Sequence, residues 1–125
     1  MVAFVEAALD AFLNADDDSA ITMLNLLQFR PEGGRQTYHE YLRMAEPILR
    51  RFGARIVFSG DGLPVLTTGQ ARQWDAVTLV HYPSRAAFKH MIADPEYQLA
   101  FQVGSAALAD IALQPFIGIA GVADR

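Results

Sequence analysis

The side chains able to do chemistry in this sequence are few and scattered, and cysteine is absent from all 125 positions. Without a thiol there is no disulfide framework, no thiolate metal site and no cysteine nucleophile. The histidines, His39, His81 and His90, show neither the H-x-H nor the H-E-x-x-H spacing that brings two imidazoles onto one metal, so no metal is expected. No G-x-S-x-G elbow surrounds Ser59, Ser84 or Ser105, and no glycine fingerprint leads from a strand into a helix. Carboxylates are plentiful, but no pair of glycosidase type can be picked from the scattered acids without geometry. The run Asp16-Asp17-Asp18 lacks the glycine and distal glutamate of a calcium loop and reads as a solvated turn.

What remains is a small set of polar side chains on apolar backgrounds. Asn25 shares a strand side with Ile21, Met23, Leu27 and Phe29. An amide there either bonds to neighbouring structure or orients a ligand. His81 shares a strand side with Val77 and Leu79, close to the corner at Pro83, and is the best general-base candidate. His39 and His90 fall on polar helix sides. Asn25 and His81 are therefore the candidate catalytic pair. Tyr38, Arg43, Trp74 and Tyr97 are candidate ligand-binding side chains, amphipathic groups able to line a pocket between helices and a sheet. Each also has a plain alternative, as a core aromatic with one satisfied polar atom or as a solvated arginine.

The elements that position them follow from periodicity. Phe4, Val5, Ala8, Leu9, Phe12 and Leu13 give an amphipathic helix over 3–15. Residues 20–29 (AITMLNLLQF) are a strand apolar on both sides. Tyr38, Tyr41, Leu42, Ala45, Ile48, Leu49 and Phe52 stripe a helix over 36–52, stopped by Gly53 and carrying Pro47 as a kink. A short strand (54–59) leads to a turn at Gly60-Asp61-Gly62, with 63–68 extending or returning it and a polar connection over 69–73.

Trp74 to Tyr82 is the next strand, Ser84 opens a helix, and Asp94-Pro95-Glu96 opens another, with Tyr97, Phe101, Ala107 and Leu108 as its stripe. A last strand over 111–119 contains Pro115, which confines it to an edge or a bulge.

The order is a helix followed by β-α-β-β-α-β, a split βαβ or ferredoxin-like α+β fold with an antiparallel sheet and its helices on one face. Residues 1–19 form an N-terminal helical extension and 20–125 a single ferredoxin-like domain. The second sheet face is still apolar, which predicts a homodimer built through that open face. A formal charge of −4 and a pI near 5.2 offer no footprint for nucleic acid. The N-terminal apolar stretch carries Glu6 and Asp10 and is neither signal peptide nor membrane span, so a cytoplasmic location is expected.

The segments MLNLLQF (23–29), YHEYLRMAEPILRRFGAR (38–55), WDAVTLVHYPSRAAF (74–88) and DPEYQ (94–98) together resemble the domain of unknown function 1330 family, within the dimeric α+β barrel superfamily. The resemblance covers roughly 20–119 and implies a ferredoxin-like protomer in a barrel-like dimer. It implies no common reaction. The wider superfamily includes cofactor-independent monooxygenases, haem-degrading enzymes, chlorite dismutases and muconolactone isomerases. Many members carry an arginine after the DPEYQ-type segment, where this chain has Gly104.

Two functions follow as expectations. The first is a dimer that binds a small apolar or aromatic molecule between helices and sheet, without cofactor or catalysis. The second is a cofactor-independent monooxygenase or isomerase acting on an aromatic or polyketide-like substrate. There Asn25 would orient a substrate oxygen, His81 would act as base, and Trp74 and Tyr97 would shape the pocket.

Overall fold

In the computed structural model, which describes residues 3–69 and 71–122, helix α1 (Glu6–Asn14) leads into strand β1 (Ile21–Phe29) and helix α2 (Gly34–Arg51). Strands β2 (Arg55–Asp61) and β3 (Ala76–Tyr82) follow, then helices α3 (Arg85–Ala93) and α4 (Pro95–Ala107), and strand β4 (Leu108–Ile117). The strands form one antiparallel sheet in the order β2-β3-β1-β4. This is the ferredoxin-like α+β arrangement, with an open sheet and an added N-terminal helix.

Local chemistry accounts for most boundaries. Ser84 Oγ accepts from the Ala87 N–H at 3.1 Å and Asp94 Oδ2 from the Tyr97 N–H at 3.0 Å, so α3 and α4 each begin on a side-chain cap. Helix α2 runs unbroken through Pro47 and ends where Gly53 takes φ +78°. Asp17 Oδ1 accepts from the Ser19 N–H at 2.8 Å, so the acidic run is a turn, as its composition requires. Pro115 lies in β4, an edge strand, opposite Met23.

The β2–β3 connection differs from the expected tight turn. Gly60 and Asp61 belong to β2, paired with Val77 and Ala76, and 62–75 form a long connection instead of a returning strand. The expected polar stretch over 69–73 includes Gln70, outside the described residues. Gly60 is tolerated in a strand because the Phe58 ring folds over it; a Cβ there would stand 2.7 Å from Phe58 Cζ. A register irregularity between Ile56 and Phe58 bends this edge strand.

The helices cover one face of the sheet. Ile21, Met23, Leu27, Ala76, Thr78, Val80 and Tyr82 are buried on that side against Tyr38, Ala45, Ile48, Leu49, Phe88, Met91 and Tyr97. Helix α4 buries Tyr97, Ala100, Gly104 and Ala107, while Phe101 is exposed and Leu108 already belongs to β4. Beyond Tyr97 the buried stripe is one of small residues, which lets the α4 backbone approach α2 closely.

The opposite face carries Leu24, Leu26, Val77, Leu79 and His81, all half-buried, with Phe58 and Phe116 exposed at its margins. Among the described residues no helix is long and apolar enough to cross a membrane.

Candidate functional site

The helix layer does not seal against the sheet. A cavity of about 1280 Å³ lies between them, lined by apolar side chains of β1, α2, α4 and β4 and by Phe4, Leu9 and Phe12 of the N-terminal segment. Its polar groups are mostly uncharged. Among the described residues that line it there is no carboxylate, imidazole or ammonium, and Arg30 is the one charged side chain. The Arg30 Nε donates to the Leu108 carbonyl at 3.0 Å at the exposed end of the cavity.

The polar lining is organised in two clusters. In the first, the Tyr38 hydroxyl lies 2.8 Å from Thr78 Oγ1, which lies 2.9 Å from Ser59 Oγ. Asn25 stands opposite Thr78 in the β1–β3 register, and its Nδ2 donates to the carbonyls of Thr78 (3.1 Å) and Met23 (3.3 Å). Both amide protons are spent on backbone, so Oδ1 is the group Asn25 retains for a ligand. In the second cluster the Tyr41 and Tyr97 hydroxyls are 2.8 Å apart, with their rings in an edge-on contact. Tyr82, the other tyrosine of the lining, turns its hydroxyl to Met91 Sδ at 3.7 Å.

Burial raises the pKa of all these phenols because it penalises the phenolate: Tyr38 is pushed up to about 12, and Tyr41, Tyr82 and Tyr97 are likewise raised. The cavity is therefore lined by neutral hydroxyl groups, able to donate or accept hydrogen bonds but unsuited to remove a proton at neutral pH.

Of the side chains singled out from sequence, Asn25, Tyr38 and Tyr97 line this cavity. His81 does not. It pairs with Thr22, not with a residue on the Asn25 side, and so occupies the open sheet face with Val77 and Leu79. Within one chain Asn25 and His81 are separated by the sheet and share no cavity. Arg43 is an exposed α2 residue ion-paired with Glu40 one turn away, and it does not reach the cavity. Trp74 precedes β3, where the Arg72 guanidinium sits 4.1 Å from its ring centroid. Arg72 also bonds Asp110 (2.7 Å) and Gln28 (2.9 Å), so this cluster fastens the β2–β3 connection across the sheet.

Thr78 and Tyr41 also belong to the site, although neither is among the candidates the sequence offers. Tyr41 was visible in the α2 stripe, but nothing local says that its hydroxyl meets Tyr97. Thr78 was visible as the polar residue among Ala76, Val80 and Tyr82. No cluster of three metal-ligating side chains occurs among the described residues.

Comparison with known proteins agrees with this architecture. Residues 33–113, well over half of the chain, match the family described as "Domain of unknown function (DUF1330)". No curated protein matches the sequence significantly. A solved protein of unknown function from Rhodopseudomonas palustris is 31% identical over 94% of this chain and 96% of its own, with a TM-score of 0.85. A dimeric ferredoxin-like protein of unknown function from Jannaschia sp. CCS1 is 13% identical, covering 80% of this chain and 100% of its own, with a TM-score of 0.63. A hydroxynitrile lyase from Passiflora edulis is 9% identical over 83% of this chain and 97% of its own, with a TM-score of 0.66, a likeness of fold alone. On the match of most of its length and of its nearly full-length 31% identical relative, the chain belongs to the DUF1330 family, on a ferredoxin-like fold.

Proposed function

We propose that this protein is a homodimer that binds a small, largely apolar or aromatic molecule in the cavity between its helices and its sheet. The observation that carries the reading is the lining itself. A space of about 1280 Å³ is walled by apolar and aromatic side chains, with a few uncharged polar groups from Asn25, Tyr38, Tyr41, Thr78 and Tyr97. That is the composition of a site that holds and orients a ligand. The alternative, a cofactor-independent monooxygenase or isomerase, is weakened because its base, His81, stands on the other face of the sheet. Asn25 is what that alternative keeps.

The open sheet face supports the dimer. Leu24, Leu26, Val77 and Leu79 form an apolar centre, and the β2–β3 connection holds out Leu63 and Leu66, 82% and 95% exposed. A face of this kind on a small domain is a covering surface for a second copy. The Jannaschia protein of the same fold is described as dimeric. A light-scattering mass of one chain at micromolar concentration would remove this half of the proposal.

The binding half is tested by titrating purified protein with 2-ethylnaphthalene and following tyrosine and tryptophan emission. One molecule bound per chain is expected. In Ser105→Trp, where a bulky ring is placed on the exposed α4 lining, binding is expected to be lost while the fold is kept. Absence of binding to the unaltered protein, or equal binding to a folded Ser105→Trp, contradicts the reading.

A further inference from the structure

Resting on the cavity being a ligand site, we propose that the Tyr41–Tyr97 hydroxyl pair, seated by Gly104, is its polar anchor and selects an uncharged ligand with a hydrogen-bond-accepting oxygen, such as a ketone or ester, over a carboxylate.

Gly104 lies inside the 13-residue helix α4 and is buried. Glycine is the poorest helix former after proline, so an interior glycine needs a packing reason. Here the reason is Tyr41: a Cβ at 104 would stand 2.8 Å from Tyr41 Cδ1 and 3.1 Å from Cγ and Cε1. The ring of Tyr41 lies against the α4 backbone because there is no side chain to keep it off. That seating leaves its hydroxyl 2.8 Å from the hydroxyl of Tyr97, seven residues earlier on the same helix.

Two hydroxyls carry two protons, and the bond between them uses one. Neither oxygen has another partner among the described residues, so one O–H remains without an acceptor on the cavity wall. Of the other lining tyrosines, Tyr82 donates to Met91, and Tyr38 belongs to a chain of three hydroxyls through Thr78 that ends on the exposed Ser59. A hydroxyl that accepts one hydrogen bond also becomes a better donor of its own, so the pair is a stronger donor than an isolated phenol.

Burial keeps both phenols protonated. Among the described lining residues the one charged side chain, Arg30, is exposed and bonds the Leu108 carbonyl. A carboxylate placed beside the pair would lose its hydration with no counter-charge against it, whereas a carbonyl oxygen sheds far less and gains the free proton.

Three probes of one skeleton separate the possibilities: 2-acetylnaphthalene, 2-ethylnaphthalene and 2-naphthoate. The unaltered protein is expected to bind the ketone at least about tenfold more tightly than the carboxylate, given the cost of burying an unpaired charge. In the double variant Tyr41→Phe/Tyr97→Phe, which keeps both rings, ketone affinity is expected to fall about fivefold, the scale of one neutral hydrogen bond, while 2-ethylnaphthalene affinity is kept. Gly104→Ala, which displaces the Tyr41 ring, is expected to show the same ketone-specific loss.

If the double variant weakens ketone and hydrocarbon equally, or if the carboxylate binds as tightly as the ketone, the anchor assignment is wrong and the cavity reading stands. If the unaltered protein binds none of the three, both are wrong.

Discussion

The hydroxyl of Tyr38 lies 2.8 Å from Thr78 Oγ1, tying the N-terminal half of α2 to the middle of β3 through a side chain only 2% exposed. Thr78 Oγ1 also bonds Ser59 on the edge strand β2, so one threonine joins a helix and two strands.

Thr78→Val keeps the shape and removes that junction. The Tyr38 hydroxyl is then left without its partner in the protein interior. The expected cost is about 1–3 kcal/mol of folding stability, the desolvation penalty of a buried polar group, read from the urea midpoint. The double variant Tyr38→Phe/Thr78→Val removes both partners and is expected to recover part of the loss. A double variant no more stable than Thr78→Val alone would mean that the junction contributes nothing as a pair.

Of the four tyrosines of the chain, Tyr38, Tyr82 and Tyr97 are buried and Tyr41 is half-buried, and all four have raised pKa values, Tyr38 reaching about 12. In the unfolded chain each ionises near about pH 10. Above that pH the unfolded state releases protons that the folded state keeps, so stability is fully present below about pH 10 and is lost as pH rises toward the folded values. The slope approaches about 1.4 kcal/mol per pH unit for each tyrosine still protonated only in the fold. Phenolate absorbance at 295 nm is therefore expected to appear together with unfolding. A reversible titration near pH 10 in protein that remains folded would show that these rings meet water.

The guanidinium of Arg85 holds the N-terminal helix. It donates to the Phe12 carbonyl at 3.1 Å, lies 4.7 Å from the centroid of the Phe12 ring and stands 3.8 Å from Asp17. Helix α1 has no buried residue, so this contact and the partly buried Leu9, Phe12 and Leu13 are what hold it over the cavity. Arg85→Ala is expected to raise amide exchange over 6–14 by roughly tenfold, the scale of a cation–π contact plus a charged hydrogen bond. Exchange in β1 and β3 is expected to stay unchanged. Equal exchange over 6–14 in both proteins would assign the anchoring to the apolar contacts alone.

Gly53 and Gly33 both adopt φ near +79°, at +78° and +79°, but only Gly53 is crowded. A Cβ at 53 would stand 3.2 Å from Pro83 Cγ, while nothing lies within 4 Å of one at 33. Gly33→Ala is expected to cost about 1–2 kcal/mol from left-handed backbone strain, and Gly53→Ala more than that. Thermal melts of the two variants give the order. A Gly53→Ala protein as stable as Gly33→Ala would show that Pro83 yields at no cost.

What the sequence determined by itself is what neighbouring residues decide. Ser84 and Asp94 announce the starts of α3 and α4 because a cap is a contact three residues long. Strand parity grouped Asn25 with Met23 and Leu27, and His81 with Val77 and Leu79, because side chains alternate along a strand whatever lies beside it. The Gly60-Asp61-Gly62 turn was misread for the complementary reason: glycines mark turns locally, and only the Phe58 ring and the partners Val77 and Ala76 make Gly60 and Asp61 part of a strand.

The site belongs to the tertiary structure. Parity names two sets on each strand but not which sets share a face, and it took the register Asn25 opposite Thr78 and His81 opposite Thr22 to send the amide and the imidazole to opposite sides of the sheet. Likewise Tyr41, Tyr97 and Gly104 lie on two helices far apart in the chain. Their hydroxyl pair exists because a missing Cβ lets one ring settle against the other helix, a distance in space that no local pattern encodes.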